Sequence, residues 1–202
     1  MKLYITHTSP YARIARIAVL ELGLGDRIAL VVAQTRTADS AYYTINPSGR
    51  VPYLVTDEGL ELEDSALICA YLGQLDGVTL FDLPSGEQGW ETRRLEALAR
   101  SMLDGLAVWS RELRRPVEER SPTILEHELE RSQRMADLWE KTIDQPLIHG
   151  QLNMAQITLI SALQLERRNP EFNWRPGRPK LSNWADSIAR RSSISATMPT
   201  AL

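Results

Sequence analysis

Three short segments place hydroxyl, carboxylate and prolyl groups where they could hold a charged ligand. The first is Thr8-Ser9-Pro10-Tyr11-Ala12-Arg13. Proline at the first helical position, with serine before it at the N-cap, starts a helix. A hydroxyl at that positive end can hold an anion, although capping alone accounts for the same residues. The second is Asn46-Pro47-Ser48-Gly49-Arg50-Val51-Pro52-Tyr53-Leu54. Pro52 opens a strand, a tolerated place for proline. A cis Val51–Pro52 bond would turn the chain and free the N–H and C=O of Val51 to pair with an extended peptide; a purely structural proline is the alternative. The third is Glu63-Asp64-Ser65-Ala66-Leu67-Ile68. Asp and Ser at a helix start are ordinary caps. They also suit an α-amino acid head group, its carboxylate on the helix N–H groups and Ser65 and its ammonium near Asp64.

These segments need elements to position them. Residues 2–6, 28–33, 51–56 and 60–62 read as strands, the last two joined by the turn Asp57-Glu58-Gly59. Residues 10–22 carry Ile14, Ile17, Ala18 and Leu22 at helical spacing, closed by Gly23. Residues 66–75 form a short apolar helix. The order is β-α-β, then β-β-α, and the first unit is expected to be parallel and right-handed. Residues 77–86, GVTLFDLPSG, have no helical stripe and read as a linker. Beyond them the patterns are helical, over 87–115, 122–144, 153–168 and 181–191, with no strand. The expectation is an α/β domain over 1–76 and an all-helical domain over 87–202. The tail from Ser192, small and polar, is expected to be poorly ordered or to hug the surface.

Composition narrows the function. A chain of 202 residues can bury about 70% of its unfolded surface and needs no disulfide or metal staple. A net charge of −3 argues against a nucleic-acid partner. No apolar run approaches the roughly 20 residues that span a bilayer, and the first residues lack an apolar signal core. A cytoplasmic protein is expected. Cys69 is the single cysteine, which excludes an internal disulfide and any multi-cysteine zinc site. It sits in the apolar 66–75 helix and reads as an inert buried thiol. His7, His127 and His149 are scattered, without ligand spacing, so no metal is expected. The charge-mixed residues 111–115 and 118–120 read as a solvated helix end.

In order and spacing the three segments resemble the glutathione transferase family. SPYAR is similar to its active-site helix start, NPSGRVPYL to its cis-proline loop and EDSALI to its acidic-Ser motif. GQLNMAQI at 150–157 resembles its capped core helix, and residues 181–191 its last helix. The resemblance covers essentially the whole chain. It implies a thioredoxin-like domain followed by an all-helical one, usually in a homodimer, with glutathione as co-substrate and detoxification as the setting. Three departures stand out. Gln156 occupies a position usually held by Asp, though Asn153 with Gln156 still forms a capping box. Ser192 stands where the family usually has Pro. Asp64 stands where Glu is commoner.

The family's reaction is attack of the glutathione thiolate on an electrophile. A hydroxyl donating to charged sulfur contributes about 1.5–3 kcal/mol, and a helix N-terminus about 0.3–1 kcal/mol. Together they bring a thiol pKa of about 8.5 down to about 5.5–7, so the hydroxyl needs only to donate. Ser9 aligns with the family's active-site Ser or Cys, and Thr8 is the rival hydroxyl. Serine implies conjugation or glutathione-dependent peroxidase activity, whereas cysteine would imply thiol–disulfide work.

By the same resemblance the Val51 backbone, beside Pro52, pairs with the cysteinyl backbone, and Asp64 and Ser65 hold the γ-glutamyl end. Arg50 either approaches a carboxylate or is a solvated surface arginine. Gln34 and Arg36 are assigned to the glycyl carboxylate. The electrophile pocket is expected between the domains, with Met102, Leu106 and Trp109 along one helical stripe and Tyr11 opposite; core packing is the alternative for each. A second possibility, of another class, is a family fold used as a non-catalytic protein-binding module. Such modules tend to lose the glutathione site, which is intact here.

Overall fold

Residues 1–75, 81 and 85–200 are described by a computed structural model of the chain. The chain divides into two units, Met1–Asp82 and Leu83–Leu202. Most of the expected linker, residues 77–80 and 82–84, lies outside the described residues.

The first unit is a thioredoxin-like fold built on a four-stranded sheet in the order β2-β1-β3-β4. Strand β1 (Lys2–Ile5) pairs in parallel with β2 (Ala29–Val32) and antiparallel with β3 (Tyr53–Val55), which pairs antiparallel with β4 (Glu61–Glu63). Alternation along the strands sends successive side chains to opposite faces. Leu3, Ile5 and Leu54 pack with Ala15, Val19, Ile68 and Leu72 in one cluster. They join the sheet to α1 (Pro10–Glu21) and α3 (Ser65–Gln74). Burying each of these large aliphatic side chains contributes about 1.5–3 kcal/mol. Tyr4 and Tyr53 turn the other way and meet Tyr42 of the one-turn helix α2 (Tyr42–Ile45), with the Tyr4 and Tyr42 ring centroids 5.5 Å apart. Helix α1 ends as expected at Gly23, whose φ of +66° admits the left-handed turn that lets Leu24 N–H reach the carbonyl of Val19.

The second unit is all-helical. Helix α4 (Gly86–Glu112) packs on α5 (Pro122–Thr142) and on α7 (Met154–Leu163). All ten residues of α7 are buried, so it shows no apolar stripe and sits at the centre. The helix expected over 153–168 changes to a 3-10 turn over Gln164–Arg167. A one-turn helix α6 (Pro146–His149) precedes α7, and α8 (Pro179–Ile188) follows the turn.

The capping box at α7 forms: Gln156 N–H donates to Asn153 Oδ1 at 3.1 Å, and Asn153 N–H donates to Gln156 Oε1 at 2.7 Å. Gln156 adds what the usual Asp lacks, an amide N–H donating to Ile148 O at 2.7 Å. The same carbonyl accepts from the Trp184 indole at 3.1 Å, so one oxygen ties α6, α7 and α8 together.

Of the two alternatives expected for the tail, poor order is overturned. Residues Ser192–Ala196 form a further short helix, α9, and Ile194 is fully buried. A single apolar residue among small polar ones gives no periodic signal, yet it is enough to anchor a turn. The units also differ in their aromatic side chains: all six tyrosines lie in the first and all five tryptophans in the second. Among the described residues, no helix is long and apolar enough to cross a membrane.

Candidate functional site

The three segments named from sequence meet at one end of the α/β unit. Ser9 is the N-cap of α1, with extended backbone, and Pro10 is its first helical residue. Its Oγ accepts from Ala12 N–H at 3.1 Å, which fixes the oxygen at the helix start. Its proton points to the Val51 carbonyl at 3.4 Å. That bond is long for O–H···O, so the proton can be redirected to a better acceptor at little cost. The first turn of α1 contains no acidic residue, so no carboxylate of that turn offsets its positive end. Thr8 is exposed and its hydroxyl lies 3.4 Å from that of Thr6. Of the two rival hydroxyls, the one on Val51 is Ser9.

The Val51–Pro52 bond is cis. A polar scaffold that sequence reasoning did not find holds the loop before it. Asn46, buried in the loop, donates through Nδ2 to Arg50 O at 3.0 Å and to Glu63 Oε2 at 2.8 Å, and its Oδ1 accepts from Ser48 N–H at 3.0 Å. The Ser48 hydroxyl donates to the same Glu63 carboxylate, and the Tyr42 hydroxyl donates to Arg50 O. Burial and the nearby Glu63 charge push the Tyr42 pKa up, so that it keeps the proton it donates. Gly49, with φ of +67°, lies against Tyr43: an added Cβ would sit 2.7 Å from Cε1 of that ring. The loop thus depends on Asn46, Ser48, Gly49, Glu63 and Tyr42. In sequence, Asn46, Ser48 and Gly49 belong to the loop before Pro52 with no role of their own, and Glu63 only heads the third segment.

Helix α3 starts beside this loop. Asp64 is its N-cap; Oδ1 accepts from Ala66 N–H at 2.8 Å and from Leu67 N–H at 3.3 Å. Its φ of +84° is in the region that favours glycine. Strained backbone of this kind clusters at ligand sites, and here the two carboxylate bonds help hold it. Ser65 follows, 1% exposed. On the adjacent strand, burial and the hydrogen bond from its hydroxyl to Glu61 push the Tyr53 pKa up to about 12.

The remaining expected residues are less gathered. Arg50 contributes its backbone to the loop while its side chain is exposed. Gln34 and Arg36 are exposed beyond β2, and Arg36 has φ of +59°. Tyr11 is partly exposed. Met102, Leu106 and Trp109 are at most 2% exposed, and Trp109 meets Phe172 edge-on at 6.4 Å. Their shared stripe therefore marks packing. Cys69 is fully buried. Among the described residues, no three His, Cys, Asp or Glu side chains converge on a common point. Two surface grooves in the helical unit, of about 780 and 480 Å³, contain none of the residues around Ser9. The arrangement in the α/β unit is a cluster of polar groups. It offers a helix-end hydroxyl, a backbone edge at Val51 and a second helix start at Asp64–Ser65.

Comparison with known proteins fits this cluster to a family. Residues 8–75 match the N-terminal domain of glutathione S-transferases. Over 202 residues the chain is 32% identical to an uncharacterized GST-like protein, YibF, of Escherichia coli K12, covering 98% of each chain. A glutathione transferase family member from Pseudomonas fluorescens Pf-5, solved with bound glutathione, is 30% identical with a TM-score of 0.89, covering 98% of each chain. A structure of such a family member from the same strain, with bound S-(propanoic acid)-glutathione, is 29% identical with a TM-score of 0.86, covering 98% of this chain and 99% of the other. With its motifs joined in one cluster and its relatives matching along nearly its full length, the chain belongs to the glutathione S-transferase family.

Proposed function

We propose that the protein is a glutathione transferase that activates the glutathione thiol at Ser9 and transfers the sulfur to small, mostly apolar electrophiles. The observation that carries this reading is the Ser9 hydroxyl, fixed at the start of α1 and sharing its proton weakly with the Val51 carbonyl. When glutathione enters, its thiol proton leaves to solvent and the Ser9 O–H swings to the thiolate. The charged acceptor makes that bond worth about 1.5–3 kcal/mol, which favours thiolate near neutral pH. The N–H and C=O of Val51 pair with the cysteinyl backbone. Ser65 and the N–H groups at the start of α3 receive the γ-glutamyl carboxylate, and the Asp64 charge draws the ammonium. Gln34 and Arg36 take the glycyl carboxylate, and Arg50 approaches a carboxylate of the ligand.

Two observations on relatives support the reading: one holds glutathione and another holds glutathione substituted on its sulfur. The reading carries a cytoplasmic setting, where glutathione is abundant and reduced, and a twofold homodimer. Exposed apolar side chains in each unit, Leu67 in the first and Trp90 in the second, support contact with a second copy.

The test is retention on immobilised glutathione with elution by free glutathione, followed by a screen of electrophiles and hydroperoxides. Retention with turnover is expected. Retention without turnover of any acceptor would mark a binding module instead, and a chain that passes unretained would remove the site altogether.

A further inference from the structure

One carboxylate of the α/β unit is not used by the function proposed above, yet it reaches both halves of the site. Glu63 ends β4, where its backbone pairs with Tyr53, the residue after Pro52. The next two residues are Asp64 and Ser65, at the start of α3. The Glu63 side chain is bonded to the loop instead. A single oxygen, Oε2, accepts from Asn46 Nδ2 at 2.8 Å and from the Ser48 hydroxyl.

The bonds continue to the peptide unit between Arg50 and Val51. Asn46 Nδ2 also donates to Arg50 O at 3.0 Å, and Asn46 Oδ1 accepts from Ser48 N–H at 3.0 Å. Arg50 O accepts from the Tyr42 hydroxyl as well. The Arg50 carbonyl and the Val51 N–H belong to one planar unit, and in a trans unit they point in opposite directions. Fixing the oxygen therefore aims the N–H. Two donors on that oxygen also polarise the unit and strengthen its N–H as a donor. The Ser48 hydroxyl, oriented by Glu63, accepts from Arg50 N–H at 3.1 Å and so fixes the preceding unit.

We propose that Glu63 is a positioning residue for glutathione: its carboxylate clamps the 46–50 loop to the strand that leads into α3. The clamp holds the Val51 N–H and the Asp64–Ser65 helix start at the spacing of two neighbouring residues of one peptide. This role rests on the function proposed above. It differs from that of Asp64, because Glu63 acts through reach and Asp64 through charge.

Three substitutions separate reach from charge. Glu63→Asp keeps the charge but is one methylene short of the two donors. Glu63→Gln loses the charge but keeps a carbonyl oxygen, with two lone pairs, at the same reach. Glu63→Ala loses both. In calorimetry with reduced glutathione, Asp and Ala should each raise the dissociation constant about tenfold or more, and Gln less than about threefold. The bound thiol should keep the wild-type pH midpoint in every variant, read by the absorbance of its thiolate, because the sulfur sits at Ser9. In the free protein, deuterium exchange at the Ser48 and Arg50 amides should quicken in Glu63→Asp and not in Glu63→Gln, since both N–H groups are bonded to the clamped side chains.

A Glu63→Asp variant that binds glutathione as the wild type does, or a Gln variant weakened as much as Asp, would overturn the proposal. So would a thiol midpoint that moves with the lost affinity, which would place Glu63 at the sulfur, or a lowered unfolding midpoint with affinity unchanged, which would leave Glu63 a support of the fold alone. If Glu63→Ala does not fold, the contrast between Asp and Gln decides. A wild-type chain that does not bind glutathione would remove the proposed function and this role with it. Wild-type binding with unaffected variants would remove Glu63 alone.

Discussion

Two helix starts, at Ser9 and at Asn153, satisfy the same need by opposite means. Each supplies a side-chain oxygen to an N–H in the first turn of its helix. At α7 every polar atom is used. Asn153 Nδ2 donates to Leu147 O at 2.7 Å, while the Gln156 side chain both accepts from Asn153 N–H and donates to Ile148 O. At α1 the serine oxygen is fixed, but its proton rests on a carbonyl 3.4 Å away. The first cap is closed and holds the helical unit together. The second keeps spare hydrogen-bonding capacity in a cluster of polar groups. Capping residues at the two sites look alike in sequence, and what separates them is the capacity left over once the helix is capped.

The comparison predicts which substitutions strike chemistry and which strike stability. The largest effect is expected at Ser9. Ser9→Ala should retain glutathione but lose about ten- to hundredfold in turnover near neutral pH, the rate equivalent of a hydrogen bond worth about 1.5–3 kcal/mol. Its pH–rate profile should move up by about one to two pH units, with partial recovery at high pH, where thiolate forms unaided. The profile, read beside the absorbance of the bound thiolate, is the measurement. Thr8→Ala is the control: if that variant moves and Ser9→Ala does not, the donor is Thr8.

A smaller effect, of another kind, is expected at the closed cap. Gln156→Ala should cost about 2 kcal/mol in denaturant unfolding and leave the glutathione profile unmoved. Gln156→Asp keeps the box and loses only the donor to Ile148 O, so about 1 kcal/mol is expected. Equal losses in the two variants would mean that the extra donor contributes nothing.

The smallest effect is expected at the third helix start. Asp64→Asn preserves an acceptor for Ala66 and Leu67 N–H and tolerates positive φ, so stability should change by less than about 1 kcal/mol. Losing the charge should weaken glutathione binding by about three- to tenfold, measured by calorimetry. Unchanged affinity would reduce Asp64 to a cap like Asn153.

Much of this was readable from sequence where a residue acts on its immediate neighbours. Ser9-Pro10 announced α1, Gly23 its end, Pro52 the cis bond, and Asn153 with Gln156 the box. What escaped was non-local or too short to be periodic. Helices α2, α6 and α9 have four or five residues, about one turn each, and a single turn has no stripe. Glu63 heads the third segment without a role of its own; its bonds to Asn46 and Ser48 span 17 and 15 residues. Met102, Leu106 and Trp109 illustrate the opposite difficulty. Their spacing was clear, but an apolar stripe cannot say whether it faces a ligand or another helix, and their burial assigns it to packing.

The separation of the aromatic residues makes the two units optically distinct. Emission excited at the red edge of the absorption band comes from tryptophan alone, and so from the helical unit. Phenol ionisation on alkaline titration reports only the α/β unit, where the Tyr53 phenol is pushed up to about 12. One unlabelled sample therefore carries two independent chromophore sets. If the units melt in separate steps, tryptophan emission follows one and tyrosine absorbance the other, without any introduced dye.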